Sequence, residues 1–126
     1  MADRDINIGL NAVIMAVTED APRVLTVHRE VLAEQAPVED SPTALPFGPF
    51  EPDRHRTLEL GLREWVEEQT GLALGYVEQL YTFGDRNRDP RERAGGSRVV
   101  SIGYLALVRE DAPHGAEDAE WVNCYD

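Results

Sequence analysis

The stretch between Thr57 and Gly71 places the strongest constraint on how this chain can fold. Its apolar residues recur at the spacing of one helix face, and charged residues fill the opposite face. Gly71 can adopt the left-handed backbone conformation that ends helices, so the pattern predicts a helix from about Thr57 to Thr70. The spacing of Glu59 and Arg63 on the outward face allows an ion pair. The predicted inward face holds Leu58, Leu62, Trp65, Val66 and Gln69.

Segments rich in apolar and β-branched residues flank this helix on both sides. Their order predicts a mixed β-sheet with the helix on its face, an α+β architecture. We expect the first two strands to pair as a hairpin across the turn at residues 19–22. The predicted strands are Ile6–Val17, Val24–Val27, a short extended segment at Leu45–Phe50, Leu72–Phe83 and Arg98–Val108.

Composition and charge narrow the possible functions. The 126 residues fit one domain, and a net charge of −12 argues against contact with the phosphate backbone of nucleic acids. All twelve basic residues are arginines, so every cation available for a phosphate is a planar, bidentate guanidinium. The polar start, the absence of a long apolar run and the single Cys124 predict a cytoplasmic protein without membrane contact.

The region from Leu45 to Leu72 resembles a Nudix box, the loop–helix–loop motif G-x5-E-x7-R-E-U-x-E-E-x-G-U, in which U is a bulky aliphatic residue. The likeness rests on Leu-Pro-x-Gly before the helix, Thr-Gly-Leu after it, and the strand order around it. It implies a Nudix fold, a mixed β-sheet sandwiched by helices. In catalytic members, glutamates on one helix face hold Mg²⁺, which bridges a diphosphate and activates water.

Two registers relate the helix to this motif, and the first matches Arg63-Glu64 to the R-E pair of the box. Glu64, Glu67 and Glu68 would then form a metal-binding face, because residues three and four apart share one side of a helix. In this register Gly71 comes one residue later than the glycine of the motif.

The second register matches Gly71 to the glycine of the motif, and we favour it because it ends the helix where a helix should end. The arginine position of the box then holds Glu64. Neither register keeps the upstream glutamate, since His55 or Arg56 stands there, and we expect catalysis to be lost. The metal positions become Trp65, Glu68 and Gln69.

The remainder of the chain is similar to one subgroup, the bacterial Nudix-related transcriptional regulators of NAD metabolism. The likeness runs from about Ile6 to Val108 and includes Tyr76–Asp85 and Arg98–Leu107. In that family an N-terminal Nudix domain senses ADP-ribose or a related nucleotide, and a C-terminal winged helix binds DNA. The resemblance implies that residues 1–126 are a single Nudix-like domain of a longer protein. It also implies a homodimer that contacts DNA only through a winged-helix domain absent here.

Candidate ligand-binding residues concentrate in the loop between the last two predicted strands. Its guanidinium groups could clamp a diphosphate without a metal, or pair with surface carboxylates in a solvated loop. Phe83, Trp65 and Tyr104 could stack on a base or a ribose, although ordinary packing is the commoner role for such rings. The predicted ligand-binding residues are Arg29, Gly48, Phe83, Arg86, Arg88 and Arg91, with Arg93 in the same loop.

Three functions are compatible with these patterns. The first is a nucleotide-sensing Nudix effector domain of an NAD-metabolism regulator, which requires no cofactor. The second is a Nudix pyrophosphohydrolase that uses Mg²⁺ with Glu64, Glu67 and Glu68. The third is a protein-interaction domain whose pocket has lost its ligand. The histidines show no metal-ligand spacing, and Cys124 has no visible partner for nucleophilic catalysis.

Overall fold

The computed structural model describes residues 5–17, 21–28, 43–85, 95–96, 98–109 and 119–123. This part of the chain contains seven strands and one helix. The helix begins one residue after the predicted start, and the strands Ile6–Val17 and Arg98–Val108 have the predicted bounds. In chain order the elements are β1 (Ile6–Val17), β2 (Pro22–His28), β3 (Thr43–Ala44), β4 (Phe47–Pro49), α1 (Leu58–Thr70), β5 (Val77–Phe83), β6 (Arg98–Val108) and β7 (Ala119–Asn123).

The strands form one mixed sheet around β1, which confirms the predicted α+β architecture. One edge of β1 pairs in parallel with β6 from Ile6 opposite Arg98 to Ala16 opposite Val108. The other edge is divided between β4 and β2, which both run antiparallel to β1. β5 pairs antiparallel with β6, while β3 and β7 pair antiparallel with β2. The predicted hairpin of the first two strands is therefore confirmed.

One face of the sheet carries the core and packs against α1. Because side chains alternate along a strand, the even-numbered residues of β1 and β6 share this face. Leu62 and Val66 of α1 are almost completely buried against it, as the amphipathic pattern predicts. The paired core positions of the two strands are Leu10 beside Ile102, Ala12 beside Tyr104, and Ile14 beside Ala106.

Both ends of α1 are determined by local interactions. The Thr57 side chain accepts a hydrogen bond from the Leu60 N–H at 3.0 Å, which satisfies a backbone donor at the start of the helix. Gly71 has φ 79° and donates its N–H to the Glu67 carbonyl, so it ends the helix in the left-handed conformation. The described residues contain this one helix, and it is not long and apolar enough to cross a membrane.

The segment after the helix differs from the prediction, because β5 begins at Val77 rather than at Leu72. The reason is that Arg63 donates hydrogen bonds to two backbone carbonyls, which in a strand would accept from the N–H groups of an adjacent strand. Its terminal nitrogens donate to the Leu74 carbonyl at 2.5 Å and to the Gly75 carbonyl at 2.7 Å. Its Nε donates to Glu59 at 3.1 Å, so the predicted Glu59–Arg63 pair is present.

Candidate functional site

Trp65 on α1 packs against the backbone of β4. Gly48 lies directly beneath the indole, and a Cβ atom at this glycine would overlap several atoms of the ring. The indole N–H donates to the Pro49 carbonyl at 2.8 Å, and the side chain is 7% exposed. Trp65 therefore belongs to the interface between α1 and the sheet.

Gln69, one turn further along α1, binds the same strand. Its side-chain oxygen accepts the Phe47 N–H at 3.1 Å, and its side-chain nitrogen donates to the Phe47 carbonyl at 2.7 Å. The amide thus satisfies a buried backbone donor and acceptor of β4 together, as a neighbouring strand would. Trp65 and Gln69 are two of the three metal positions in the glycine register, and both are committed to β4.

The three glutamates of the alternative register lie on the outer side of the helix. Glu64, Glu67 and Glu68 are exposed and, with Arg54, line an open cleft of about 330 Å³. Arg54 precedes the helix, in a turn where the N–H groups of Arg54 and His55 both donate to the Glu51 carbonyl. The cleft therefore combines carboxylates from α1 with a cation from the turn before it.

Arg54 contacts carboxylates from both segments. Its Nε donates to Glu64 Oε1 at 2.5 Å, and its terminal nitrogens lie 3.6 Å from Glu68 Oε2 and 3.4 Å from Glu51 Oε2. The guanidinium carbon lies 5.1 Å from the centre of the Trp65 ring, within the range of a cation–π contact. The hydrogen bond with Glu64 raises the pKa of Arg54, so this side chain stays charged among the carboxylates.

His55 is the most unusual polar group near this cleft, because its imidazole is completely buried. Its Nδ1 accepts the Glu51 N–H at 3.0 Å, so in the neutral ring the proton resides on Nε2. Among the described residues Nε2 has no hydrogen-bond partner, and it faces Glu64 Oε2 at 3.7 Å. The ring fills the space over Gly61, where a Cβ atom would come within 2.8 Å of Nδ1.

These side chains do not fit the Mg²⁺ site that the resemblance to a Nudix box implies for a catalytic protein. Among the residues that the structure describes, no three His, Cys, Asp or Glu side chains are placed to hold a metal ion. Mg²⁺ requires oxygen ligands at about 2.0–2.1 Å in octahedral geometry. Here the oxygens of Glu64 and Glu68 instead approach one guanidinium.

The structure describes some of the predicted ligand-binding residues but not others. Phe83 lies at the end of β5 and is 43% exposed, with its ring tilted against that of Tyr81 at a centroid distance of 4.9 Å, so part of its surface is open to solvent. Gly48 is covered by Trp65, and Tyr104 is buried in the core, so packing accounts for both. Their roles in ligand binding stay predictions. Outside the described residues lie Arg29, Arg86, Arg88, Arg91 and Arg93.

The sequence pattern alone does not single out Arg54 and Glu51. The contacts of Arg54 with α1 join residues ten or more positions apart, beyond the reach of helix or strand periodicity, and Glu51 is linked to the cleft only through Arg54 and His55. His55 does attract attention in the sequence, since it stands near the position of the missing upstream glutamate. Nothing in the sequence indicates that its ring is buried.

Comparisons with known proteins agree with this architecture. Family models and curated protein sequences yield no match. Among solved structures, the chain is similar to the Nudix domain of Shewanella oneidensis NrtR complexed with ADP-ribose, at 24% identity and a TM-score of 0.75, over 99% of this chain and 77% of that one.

Two further structures have similar scores. Shewanella oneidensis NrtR matches at 24% identity and a TM-score of 0.70, over 94% of this chain. A MutT/nudix family protein from Enterococcus faecalis matches at 26% identity and a TM-score of 0.74, over 96% of this chain. The chain spans 52% and 45% of the length of these two proteins. MutT proteins also match, with TM-scores of 0.63 and 0.64. The sheet order, the helix between β4 and β5, and these similarities show that the protein has the Nudix fold.

Proposed function

We propose that this chain is a nucleotide-sensing Nudix domain, which binds ADP-ribose or a related nucleoside diphosphate without hydrolysing it. One observation carries the proposal. In the favoured glycine register, Trp65 and Gln69 stand at helix positions where the box has metal-binding glutamates, and both side chains are hydrogen-bonded to the backbone of β4. A helix that has exchanged metal ligands for packing contacts retains the fold while losing the means of hydrolysis.

The charges around the helix also support the absence of hydrolysis. Of the three helix carboxylates that line the cleft, Glu64 and Glu68 contact Arg54. Metal-assisted hydrolysis needs several oxygen ligands on one ion, which then activates a water molecule. In the structure the guanidinium of Arg54 contacts both of these carboxylates, which supports a domain without catalysis.

The nature of the ligand is proposed from the similar proteins and from the arginine-rich loop. The NrtR domain that this chain resembles is complexed with ADP-ribose. Arginine forks bind phosphate oxygens bidentately, so Arg86, Arg88 and Arg91 are suited to a diphosphate without a metal. We further propose that the domain is the sensor of a dimeric, cytoplasmic regulator of NAD metabolism, with DNA bound by a separate winged-helix domain.

The first experiment measures binding and turnover separately. Thermal unfolding is followed with ADP-ribose in the presence of a chelator, and AMP is measured after incubation with ADP-ribose and Mg²⁺. The proposal expects stabilisation without metal, by about 2.7 kcal/mol at a hundredfold excess of ligand over its dissociation constant, and no AMP. The absence of a shift with any nucleotide would favour the interaction-domain alternative.

A matched pair of variants tests the loop. Arg88→Glu should weaken ADP-ribose binding while leaving the unfolding temperature of the free protein nearly unchanged. Arg109→Glu makes the same charge change after the far end of β6, which the loop precedes in the chain, and should bind like wild type. Equal affinities of wild type and Arg88→Glu would remove the loop from the binding site.

A divalent-metal-dependent pyrophosphohydrolase is the second candidate, favoured by the position of Glu64, Glu67 and Glu68 in one cleft. Its signature would be Mg²⁺-dependent release of AMP from ADP-ribose that disappears in Glu68→Gln. That result would overturn the proposal of a sensor without catalysis.

A further inference from the structure

Arg54 is held by more contacts than an ordinary surface arginine. It is 41% exposed, yet it contacts Glu51 in its own turn, Glu64 and Glu68 on α1, and the face of the Trp65 ring. Trp65 is itself fixed by its hydrogen bond to Pro49. The guanidinium is therefore placed by several partners in one position over the carboxylates.

Glu64 is the central carboxylate of this arrangement. Its Oε1 accepts a hydrogen bond from the Arg54 Nε–H at 2.5 Å, and its Oε2 lies 3.7 Å from His55 Nε2. The imidazole is completely buried, and its Nε2 is a donor that faces the cleft and finds no hydrogen-bond partner in the part of the chain that the structure describes. A buried donor without a partner is unfavourable, so it favours any arrangement in which an oxygen moves toward it.

The charges explain what Arg54 contributes. Four carboxylates, of Glu51, Glu64, Glu67 and Glu68, lie in or beside the cleft, with one guanidinium among them. Without Arg54 these carboxylates would repel one another and would attract any available cation. The Arg54 guanidinium contacts one oxygen of Glu64 and one oxygen of Glu68, so it lies between these two carboxylates.

We infer that Arg54 acts as a tethered cation that takes the place of a divalent metal ion in this cleft and excludes one. Removal of its charge frees the Glu64 and Glu68 oxygens to converge on an ion, while the His55 donor remains in place to orient Glu64. The inference concerns the same helix as the proposed function. It does not depend on which nucleotide, if any, binds the domain.

The test measures Mn²⁺ binding at low ionic strength by electron paramagnetic resonance of the free ion. Arg54→Gln should bind Mn²⁺ at least about tenfold more tightly than wild type, because a directly contacting opposing charge is lost. Arg56→Gln is the matched control, since it removes an exposed arginine two residues away, and its affinity should rise far less than that of Arg54→Gln. The double variant Arg54→Gln/Glu64→Gln should lose the gain.

A second readout locates the ion. Mn²⁺ below stoichiometry should broaden the NMR signal of the Trp65 indole N–H in Arg54→Gln but not in wild type. Arg54→Met, which keeps an unbranched chain over Trp65, gives the same comparison if the glutamine variant folds poorly. The inference fails if wild type binds Mn²⁺ as tightly as Arg54→Gln, if Arg56→Gln gains equally, or if the double variant keeps the gain. None of these outcomes bears on ADP-ribose binding measured with chelator.

Discussion

Replacing Gln69 by glutamate restores the residue that the Nudix motif has at this position in the glycine register, and we predict that it destabilises the protein. The wild-type amide accepts from the Phe47 N–H and donates to the Phe47 carbonyl. A carboxylate can still accept from the N–H, but it has no proton to donate. It would instead place a negative charge 2.7 Å from the carbonyl oxygen that the amide now contacts.

The magnitude follows from burial. Gln69 is 4% exposed, so water cannot replace the lost hydrogen bond. Leaving a buried carbonyl without a donor costs about 1–3 kcal/mol, and burial of an unpaired charge adds to this. We therefore expect the free energy of unfolding at pH 7.5 to fall by about 2–5 kcal/mol.

The loss should depend on pH. Burial and the facing carbonyl raise the pKa of the new carboxyl group in the folded protein above its unfolded value of about 4.3. The folded variant then binds a proton more tightly than the unfolded chain, so its stability relative to wild type falls as pH rises through the folded pKa. As the pH falls from that pKa toward the unfolded value of about 4.3, the protonated acid can donate to Phe47 as the amide does, and the deficit should shrink progressively.

Urea unfolding of wild type and variant between pH 5 and pH 8 measures this difference directly. Gln79→Glu is the matched control, because it makes the same chemical change on the exposed side of β5 and should alter stability by less than about 0.5 kcal/mol. A deficit of Gln69→Glu below that size, or one that does not change with pH, would show that the amide is not the clamp of β4.

Three further substitutions test the contacts around the helix. Gly48→Ala should displace the Trp65 ring, lower stability by about 1–3 kcal/mol and shift tryptophan fluorescence to the red. Gly75→Ala should leave the spectrum unchanged, because among the described residues, its chain neighbours aside, no atom lies within 4 Å of the added methyl. Thr57→Ala should cost about 1 kcal/mol through loss of the helix cap, and Thr57→Ser should retain most of that stability in thermal unfolding. Arg63→Ala should lower the urea midpoint by leaving two carbonyls after the helix without their charged donor; an unchanged midpoint would assign those carbonyls to water.

The sequence determined the elements whose causes are local. Thr57 and Gly71 define the helix because a side-chain cap and a left-handed glycine act within one turn of the backbone. The strand Ile6–Val17 follows from a run of apolar and β-branched residues, which is equally local. With Leu-Pro-x-Gly and Thr-Gly-Leu on either side of the helix, these features were sufficient to predict the Nudix fold.

Only the tertiary structure decided what the side chains of the helix do. Trp65 and Gln69 are hydrogen-bonded to the backbone of β4, 16 to 22 residues away in the sequence. Arg54, in the turn before the helix, is hydrogen-bonded to Glu64. Periodicity assigns a residue to a face, but it does not identify the group that it meets there. That depends on where the sheet places β4 and on the buried volume that His55 fills. For this reason the sequence could leave two registers open, while packing determined which side chains clamp a strand and which carboxylates are held by an arginine.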